Sequence, residues 1–195
     1  MFLYITFSLK IISLESDRLI LRQWLDQDYK SFAILNADAE VMAYYPSVLN
    51  EEESNSLAKK FHGLIAKRGW GFWAVELRQE KQFIGFVGLH KPTYELPVSP
   101  CVEVGWRLAK KYWGQGYATE AANAALEFAF NQLKLTNIYS FTSVINKNSR
   151  AVMERLHMVN TNSNFNHPML PQKSVLCEHV LYRIEKQRWF SFNRE

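Results

Sequence analysis

The first half of the chain alternates between short apolar runs that predict strands and longer periodic stretches that predict helices. Partial alternation over residues 18–24 (RLILRQW) indicates a short strand. Asp26 follows as the predicted N-cap of a helix that continues through Leu35. Asn50, followed by three glutamates, marks the start of a second helix, because carboxylates favour the first turn; this helix is expected to end near Gly69.

A hairpin and a further strand occupy the middle of the chain. Two alternating runs, 71–78 (GFWAVELR) and 82–90 (QFIGFVGLH), flank a polar turn at 79–81, which is the pattern of a β-hairpin. Three prolines between residues 91 and 100 predict an irregular loop. The run 102–108 (VEVGWRL) predicts the next strand.

The second half of the chain predicts a strand–helix–strand unit. Small apolar residues recur at i, i+3, i+4, i+7, i+8 and i+11 from Ala118 to Ala129, which makes one continuous apolar helix face. A strand over 137–144 (NIYSFTSV), a short helix over 148–156 and a last strand over 175–184 follow. With hairpins first and the strand–helix–strand unit after them, the expected fold class is mixed α/β (α+β).

The composition describes one globular domain, expected to span residues 1–195. Of the residues, 48% are hydrophobic, enough to form a core, and no linker or repeat interrupts the chain. The net charge of +4 comes from scattered residues, so no direct nucleic-acid contact is expected. The two cysteines, Cys101 and Cys177, lack metal-ligand spacing, which predicts no metal and fits a reducing cytoplasm.

The first fourteen residues (MFLYITFSLKIISL) are apolar enough to raise the alternative of a secretion signal or an anchor. No basic segment precedes the run, Lys10 interrupts it, and no small-residue cleavage site follows. The run is also too short to cross a bilayer. Residues 1–13 are therefore expected to form an N-terminal extension, such as an extra strand, without membrane contact.

Two glycines bracket a glutamine in YWGQGYATE, where the strand over 102–108 has ended and a helix begins. Glycine destabilises a helix interior by about 1 kcal/mol relative to alanine, so two glycines beside a helix start need a reason. A ligand that approaches the backbone closely at Gly114 and Gly116 would be such a reason. Free N–H groups at a helix N-terminus form an anion site. Neither a GK[ST] ending nor GxGxxG is present, so a pyrophosphate without metal is the expected ligand. A tight turn without ligand stays open as the alternative.

The surrounding run LAKKYWGQGYATEAA resembles the acyl-CoA-binding motif of the GNAT N-acetyltransferase superfamily, R/Q-x-x-G-x-G/A. Lys111 stands where arginine or glutamine is usual, and the two glycines match. The segments SDRLILRQW, PCVEVGWRL and NKNSRAVMERL are similar to the RimJ/RimL branch, and similarity extends over residues 14–186. The resemblance implies a mixed central sheet of about seven strands with splayed central strands, flanked by about four helices.

The resemblance also implies acetyl-CoA as co-substrate and direct acetyl transfer to an amine. Pantetheine would lie between the strands carrying residues 104–108 and 139–144, with the pyrophosphate on the amides of 114–119. The implied cofactor-binding residues are Leu108, Ala109, Lys111, Gly114, Gln115, Gly116, Tyr117, Ala118, Thr119, Asn146 and Ser149. The expected acceptor is a peptide α-amino group or a small-molecule amine; an idle acyl-CoA sensor is the alternative.

Glu103 is the leading candidate for the catalytic base. Alternation places Cys101, Glu103, Gly105 and Arg107 on one face of their strand. A carboxylate just upstream of the phosphate loop is placed to deprotonate an amine, and the resemblance puts the acceptor beside this strand. The alternative is a salt bridge between Glu103 and Arg107.

Asn146 and Ser149 form N-x-x-S at a helix start, a pattern typical of capping. The resemblance adds that the asparagine contacts the pantetheine amide and that the serine hydroxyl lies near the thioester sulfur. Met153 stands where many members have a tyrosine acid, so Ser149 becomes the candidate acid. His157 departs from the usual glycine at the helix end, which puts the local turn in question.

Tyr44 and Tyr45 are the candidate substrate contacts, with plain packing as the alternative. The resemblance places the acceptor wall in the region after the first strand. The expected partners are acetyl-CoA and an amine, and the protein is expected to be a monomer or homodimer.

Overall fold

The structure is a computed structural model that describes residues 11–193. Its nine strands are β1 (Leu14–Glu15), β2 (Leu19–Arg22), β3 (Phe72–Leu77), β4 (Gln82–His90), β5 (Glu103–Leu108), β6 (Asn137–Ser143), β7 (Val159–Asn160), β8 (Phe165–Asn166) and β9 (Glu178–Glu185). Its five α-helices are α1 (Asp28–Ala37), α2 (Glu51–Arg68), α3 (Tyr117–Asn131), α4 (Lys147–Arg155) and α5 (Lys186–Phe192).

All the strands belong to one mixed sheet, which confirms the predicted architecture. The strand order is β1-β2-β3-β4-β5-β6-β9-β7, and β8 also pairs with β9. Every pairing is antiparallel except that of β5 with β6, which is parallel. The sheet has more strands than predicted because β1, β7 and β8 have two residues each, too few for alternation to be visible in the sequence. Helix α5 was also not predicted.

The two central strands splay apart, as predicted. Only Glu103 of β5 has a registered partner on β6, Tyr139. The Tyr139 N–H also donates to the Val102 carbonyl, at 3.1 Å. Beyond this point β4 is the only described strand that pairs with residues 104–108, so a wedge opens on their other side.

The apolar face predicted for α3 is buried against the sheet. Ala121, Ala122, Ala125, Leu126 and Ala129 are all fully buried. Small side chains let the helix axis approach β4 and β5 closely, so the N-terminus of α3 is held next to the end of β5.

Helix α2 begins and ends as its sequence predicts. The Asn50 side chain accepts from the Glu53 N–H at 2.9 Å, and the Glu53 carboxylate accepts from the Asn50 N–H at 2.9 Å, which completes a capping box. Gly69 ends the helix with a φ of 85°, in the left-handed region that glycine favours.

The predicted cap of α1 was wrong. The helix begins at Asp28, its N-cap is Gln27, and no side chain caps it. Asp28 is buried instead and forms an ion pair with Arg22 at 2.7 Å, while its carboxylate also accepts from the Leu25 N–H. Because a buried carboxylate needs a charged or hydrogen-bonding partner, the Arg22 side chain from β2 decides the position of Asp28. Capping rules consider only neighbouring residues in the sequence, so they do not predict this contact.

The departure at His157 keeps the local turn intact. His157 adopts a φ of 58°, so a histidine occupies a left-handed position, which glycine favours. Its ring stacks on Phe192 of α5, with centroids 3.9 Å apart and planes 10° from parallel. His157 therefore combines a backbone conformation that non-glycine residues rarely adopt with a stacking contact of its ring.

The predicted extension over residues 1–13 lies mostly outside the described residues. Ile12, which is described, donates to the Gly69 carbonyl at 2.9 Å and accepts from the Trp73 indole at 2.7 Å. Among residues 11–193 no helix is both long and apolar enough to cross a membrane.

Replacing Asn50 with alanine is expected to lower the free energy of unfolding by about 1 kcal/mol, because the side-chain acceptor of the capping box is lost. Urea denaturation followed by circular dichroism measures the change. Ser56→Ala, at an exposed position of the same helix, is the control and should cause no destabilisation. An unchanged midpoint for Asn50→Ala would contradict the capping role.

Candidate functional site

A cavity of about 430 Å³ fills the wedge between β5 and β6. Glu103 and Gly105 line it from β5, and Thr142 lines it from β6. The sequence-predicted residues that it brings together are Tyr44, Tyr45, Glu103, Asn146 and Ser149. The remaining candidates lie around the loop between β5 and α3, and they do not line this cavity.

The Glu103 carboxyl holds its proton to a higher pH than an exposed carboxyl does. Burial raises its pKa from 4.5 to about 8, because a low-dielectric surrounding disfavours the charged form. The side chains of Phe72 and Phe86 share the cavity. In the part of the chain that the structure describes, no ion pair joins Glu103 to Arg107, so the alternative interpretation of Glu103 is not observed.

Tyr94 and two histidines form a polar wall opposite β5. The Met169 N–H lies 3.3 Å from His167 Nδ1, so Nδ1 accepts and Nε2 carries the proton. Nε2 lies 3.2 Å from the Tyr94 hydroxyl oxygen and therefore donates to it. The Tyr94 hydrogen is left to point elsewhere, and burial beside Glu103 raises the Tyr94 pKa, so the phenol keeps its proton.

Burial also disfavours the charged form of His167 and of the neighbouring His179. Burial lowers the pKa of His167 to about 4, with His179 contributing, and burial lowers that of His179. The ring centroids are 4.8 Å apart. Within residues 11–193 no group of three or more His, Cys, Asp or Glu residues is arranged to hold a metal ion.

Asn146 caps α4, as its sequence position predicts. Its side-chain oxygen accepts from the Ser149 N–H at 3.1 Å, and its amide donates to Thr142 Oγ1 at 2.9 Å and to Ser149 Oγ at 3.1 Å. The Ser149 oxygen is thus an acceptor, and its own hydrogen can be donated into the cavity. Met153 is buried and lines the cavity, one turn further along the helix.

The glycine loop presents unpaired backbone donors. Gly114 and Gly116 have φ angles of 72° and 82°, and a Cβ on Gly114 would meet no atom within 4 Å. No acceptor among the described residues binds the N–H groups of residues 114–119, which include Gln115, Tyr117, Ala118 and Thr119. Free donors at the start of a fifteen-residue helix make a site for a phosphate group.

Arg18 holds this loop from outside. Its guanidinium donates to the Gln115 carbonyl at 3.1 Å, lies over the Tyr117 ring at 4.4 Å, and pairs with Glu120 at 2.6 Å. These contacts tie the loop to the chain just before β2. Arg18 was not a predicted site residue, because the sequence separation of about a hundred residues gives no local signal.

The other candidates at the loop have structural contacts. The Leu108 carbonyl accepts from the Trp113 indole at 2.8 Å, and the Ala109 N–H donates to the Ile84 carbonyl at 2.9 Å. The Lys111 carbonyl accepts from the Gln115 side chain at 2.8 Å. Lys111 itself is exposed, with its Nζ 4.8 Å from the Tyr112 ring. Its charge is therefore near the loop and accessible.

A second cavity of about 650 Å³ adjoins the first. Tyr45 and Arg107 line both cavities. The Arg107 guanidinium lies 3.9 Å from the Tyr45 ring centroid, so Tyr45 is both a wall residue and a packing partner. Tyr44 lines the first cavity. Sequence reasoning assigned Arg107 only to an ion pair with Glu103 and missed its place at this junction.

The chain belongs to the acetyltransferase (GNAT) domain family, whose model matches residues 18–159. The uncharacterised N-acetyltransferase YnaD of Bacillus subtilis (strain 168) is 28% identical over 173 residues, which are 88% of this chain and 96% of YnaD. The crystal structure of an acetyltransferase (GNAT family) from Bacillus anthracis has a TM-score of 0.75 at 28% identity and covers 90% of this chain and 99% of its own. These findings support an acetyltransferase activity.

A third similar protein is the spermidine N-acetyltransferase from Vibrio cholerae, whose crystal structure is in complex with CoA and spermine. It has a TM-score of 0.69 at 21% identity and covers 90% of this chain and 99% of its own. At this identity the likeness shows the shared fold alone.

The unfolding free energy of the wild-type protein is expected to fall, relative to that of Glu103→Gln, as pH rises from about 5 to about 8. The unfolded carboxyl ionises near 4.5 and the folded one near 8. Between these values the folded state keeps a proton that the unfolded state releases, so rising pH favours unfolding. Urea denaturation at about pH 5, 7 and 9 measures the slope.

Glu127→Gln, on the exposed side of α3, is the control and should leave the slope unchanged. A salt bridge between Glu103 and Arg107 predicts no slope over this range, because an ion pair lowers the carboxyl pKa and both the folded and the unfolded carboxyl are then ionised above about pH 5. Wild-type stability that stays level or rises relative to Glu103→Gln between about pH 5 and 8 would therefore overturn the buried-carboxyl assignment.

Proposed function

We propose that the protein transfers the acetyl group of acetyl-CoA directly to the nitrogen of an amine. The observation that carries this proposal is the wedge between β5 and β6, which holds the Glu103 carboxyl and lies beside the strand that runs into the loop with the unpaired amides of residues 114–119. Backbone donors after the end of β5 and a titratable carboxyl at its start suit a long phosphate-bearing thioester. The proposal covers one domain, with the chain as a monomer or homodimer in the cytoplasm.

Acetyl-CoA would bind along the open edge of β5. The pyrophosphate would accept hydrogen bonds from the amides beside Gly114 and Gly116, helped by the dipole of α3. The pantetheine amides would pair with the backbone of residues 104–108, which has no strand on that side. The cap at Asn146 and Ser149 would lie at the thioester end, because both residues line the cavity.

The reaction forms a C–N bond and breaks the C–S bond of the thioester. Glu103, as carboxylate, would take the proton that the attacking nitrogen loses. A carboxyl pKa of about 8 matches that of a protein α-amino group, also about 8, better than that of a lysine amine at about 10.4. Proton transfer between matched groups costs little, which favours a peptide α-amino acceptor.

The departing thiolate of CoA needs a proton. Met153 has none to give, whereas the Ser149 hydroxyl lines the same cavity and its oxygen already accepts from Asn146. That hydrogen bond leaves the Ser149 hydrogen available for the sulfur, directly or through water. We assign Ser149 this role: it would pass a proton to the sulfur and take one from water, Glu103 would return its proton to water, and the thiol leaves as free CoA.

The finer assignment is an N-terminal acetyltransferase of the RimJ/RimL-like branch, with Tyr44 and Tyr45 as part of the acceptor wall. Acetylation of a small-molecule amine is the second candidate, and an idle acyl-CoA sensor is the third. Release of CoA thiol with a panel of N-terminal peptides and small amines separates them. CoA binding without turnover on any acceptor would favour the sensor.

Glu103→Gln is expected to lower turnover by roughly 10²–10⁴-fold at neutral pH, because the base is lost while shape is kept. CoA affinity should hardly change. Wild-type kcat/KM should rise with pH and level off above about 8, since only the ionised carboxyl accepts a proton. Steady-state thiol release across this pH range measures both effects. Unchanged turnover in Glu103→Gln would remove Glu103 from the mechanism.

Gly114→Val is expected to weaken CoA binding at least tenfold while the fold persists, because the side chain would fill the open space beside the cradle. The positive φ adds a strain of about 1–2 kcal/mol. Isothermal titration with CoA and a melting curve separate the two effects. Gly63→Val is the matched control, since a Cβ there also meets no atom within 4 Å but the residue lies on α2. Normal CoA affinity in Gly114→Val would leave the glycines as parts of a turn.

A further inference from the structure

Arg107 is a buried cation whose hydrogen-bonding capacity is largely unused. It lies on β5 with 9% of its surface exposed, at the junction of the two cavities. Nη1 donates to the Asn36 side-chain oxygen at 2.6 Å, and Asn36 in turn donates to Ser54 at 2.8 Å. These partners are neutral, so they fix the guanidinium in place without balancing its charge.

Among residues 11–193, the other nitrogens of Arg107 have no acceptor. Within this range Nε is buried without a hydrogen-bond partner, and Nη2 donates to no acceptor. No carboxylate in this part of the chain lies within 4.0 Å of the guanidinium. The edge formed by Nε and Nη2 is the planar fork that binds a carboxylate with two hydrogen bonds.

Aromatic rings cover the Arg107 guanidinium without supplying a hydrogen-bond acceptor. The Tyr45 ring centroid lies 3.9 Å from the guanidinium carbon and the Phe86 centroid lies 5.4 Å from it. Such stacking stabilises a cation, but it supplies no acceptor for the remaining N–H groups. A buried charge of this kind is normally paired, so an anion entering from the cavities would complete the site.

The distance between Arg107 and Glu103 determines how far the anionic group of the acceptor molecule must lie from its reacting amine. The two residues are four apart on the same face of β5, which separates their Cα atoms by about 13 Å. An amine beside Glu103 would therefore reach Arg107 only with a group several bonds away. The spacing favours an acidic side chain near a peptide N-terminus over the α-carboxylate of a single amino acid.

From this geometry we propose that Arg107 binds a carboxylate of the acceptor, and that the acceptor is a peptide with an acidic residue next to its free N-terminus. This inference rests on the proposed function, since it names the acceptor of that reaction. Polyamines are expected to be poor acceptors, because the buried cation repels them at the cavity junction.

The test compares two peptides that differ only in charge, Ser-Glu-Ala-Ala and Ser-Gln-Ala-Ala with amidated C-termini, so that the glutamate carries the only carboxylate. Wild-type kcat/KM is expected to favour the acidic peptide by about 10- to 100-fold, the range that a charge-assisted hydrogen bond supplies. Spermidine and the pair 4-aminobutanoate and 4-aminobutanamide complete the panel. Equal rates for the two peptides would overturn the proposal.

Two substitutions and a control locate the effect. Arg107→Gln is expected to reduce the preference to about threefold or less, and Arg107→Lys should retain part of it, because lysine keeps the charge without the planar fork. Arg78→Gln, whose side chain pairs with Glu15 away from the cavities, should keep the full preference. CoA titration checks that each variant is folded. If Arg107→Gln does not bind CoA, the proposal is judged from the ratio of wild-type kcat/KM values for the two peptides and from the same ratio in Arg107→Lys.

Binding measurements separate this proposal from the proposed function. Calorimetry with the same two peptides in the presence of CoA gives the preference without turnover. Charge-dependent binding that Arg107→Gln abolishes, with no acetylation, would support the carboxylate site and overturn the acetyltransferase proposal. The acidic-peptide proposal would be overturned if neither peptide is bound or acetylated. It would also be overturned if both peptides bind equally well, or if 4-aminobutanoate is the only acceptor whose acetylation depends on its charge.

Discussion

The site depends on a single parallel pairing, at Glu103 and Tyr139, from which β5 and β6 diverge. Backbone N–H and C=O groups must find partners, so an unpaired strand edge inside a sheet is unfavourable unless something else pairs with it. Here the divergence leaves one edge of residues 104–108 without a strand and opens the cavity of about 430 Å³. The same constraint that opens the site therefore provides a backbone that an extended ligand can pair with.

The elements around the wedge are held by contacts that do not themselves face a ligand. Alanines of α3 pack on β4 and β5 and fix the N-terminus of that helix, while Arg18 joins the glycine loop to Glu120. On the other side the Asn146 cap fixes the start of α4 beside β6. A rigid frame of this kind keeps the unpaired donors aligned before any ligand arrives, which lowers the entropy lost on binding.

Local patterns predicted much of the fold and part of the site. The capping box at Asn50, the apolar face of α3 and the glycine loop all depend on neighbours within a few residues, so the sequence displays them directly. The cap of α1 was wrong because Asp28 is bound by Arg22 from another element. Tyr94, His167 and Arg107 were missed for the same reason, since their partners lie far away in the chain.

The sequence by itself determined the order of elements, the family motif and the residue types available for chemistry, because these are properties of short segments and of their spacing. Only the tertiary structure decided the state of the charges. Whether Glu103 is paired or isolated, and whether Arg107 has a counter-ion, depends on burial and on neighbours from several elements. Desolvation is a property of the folded surroundings, and no local pattern reports it.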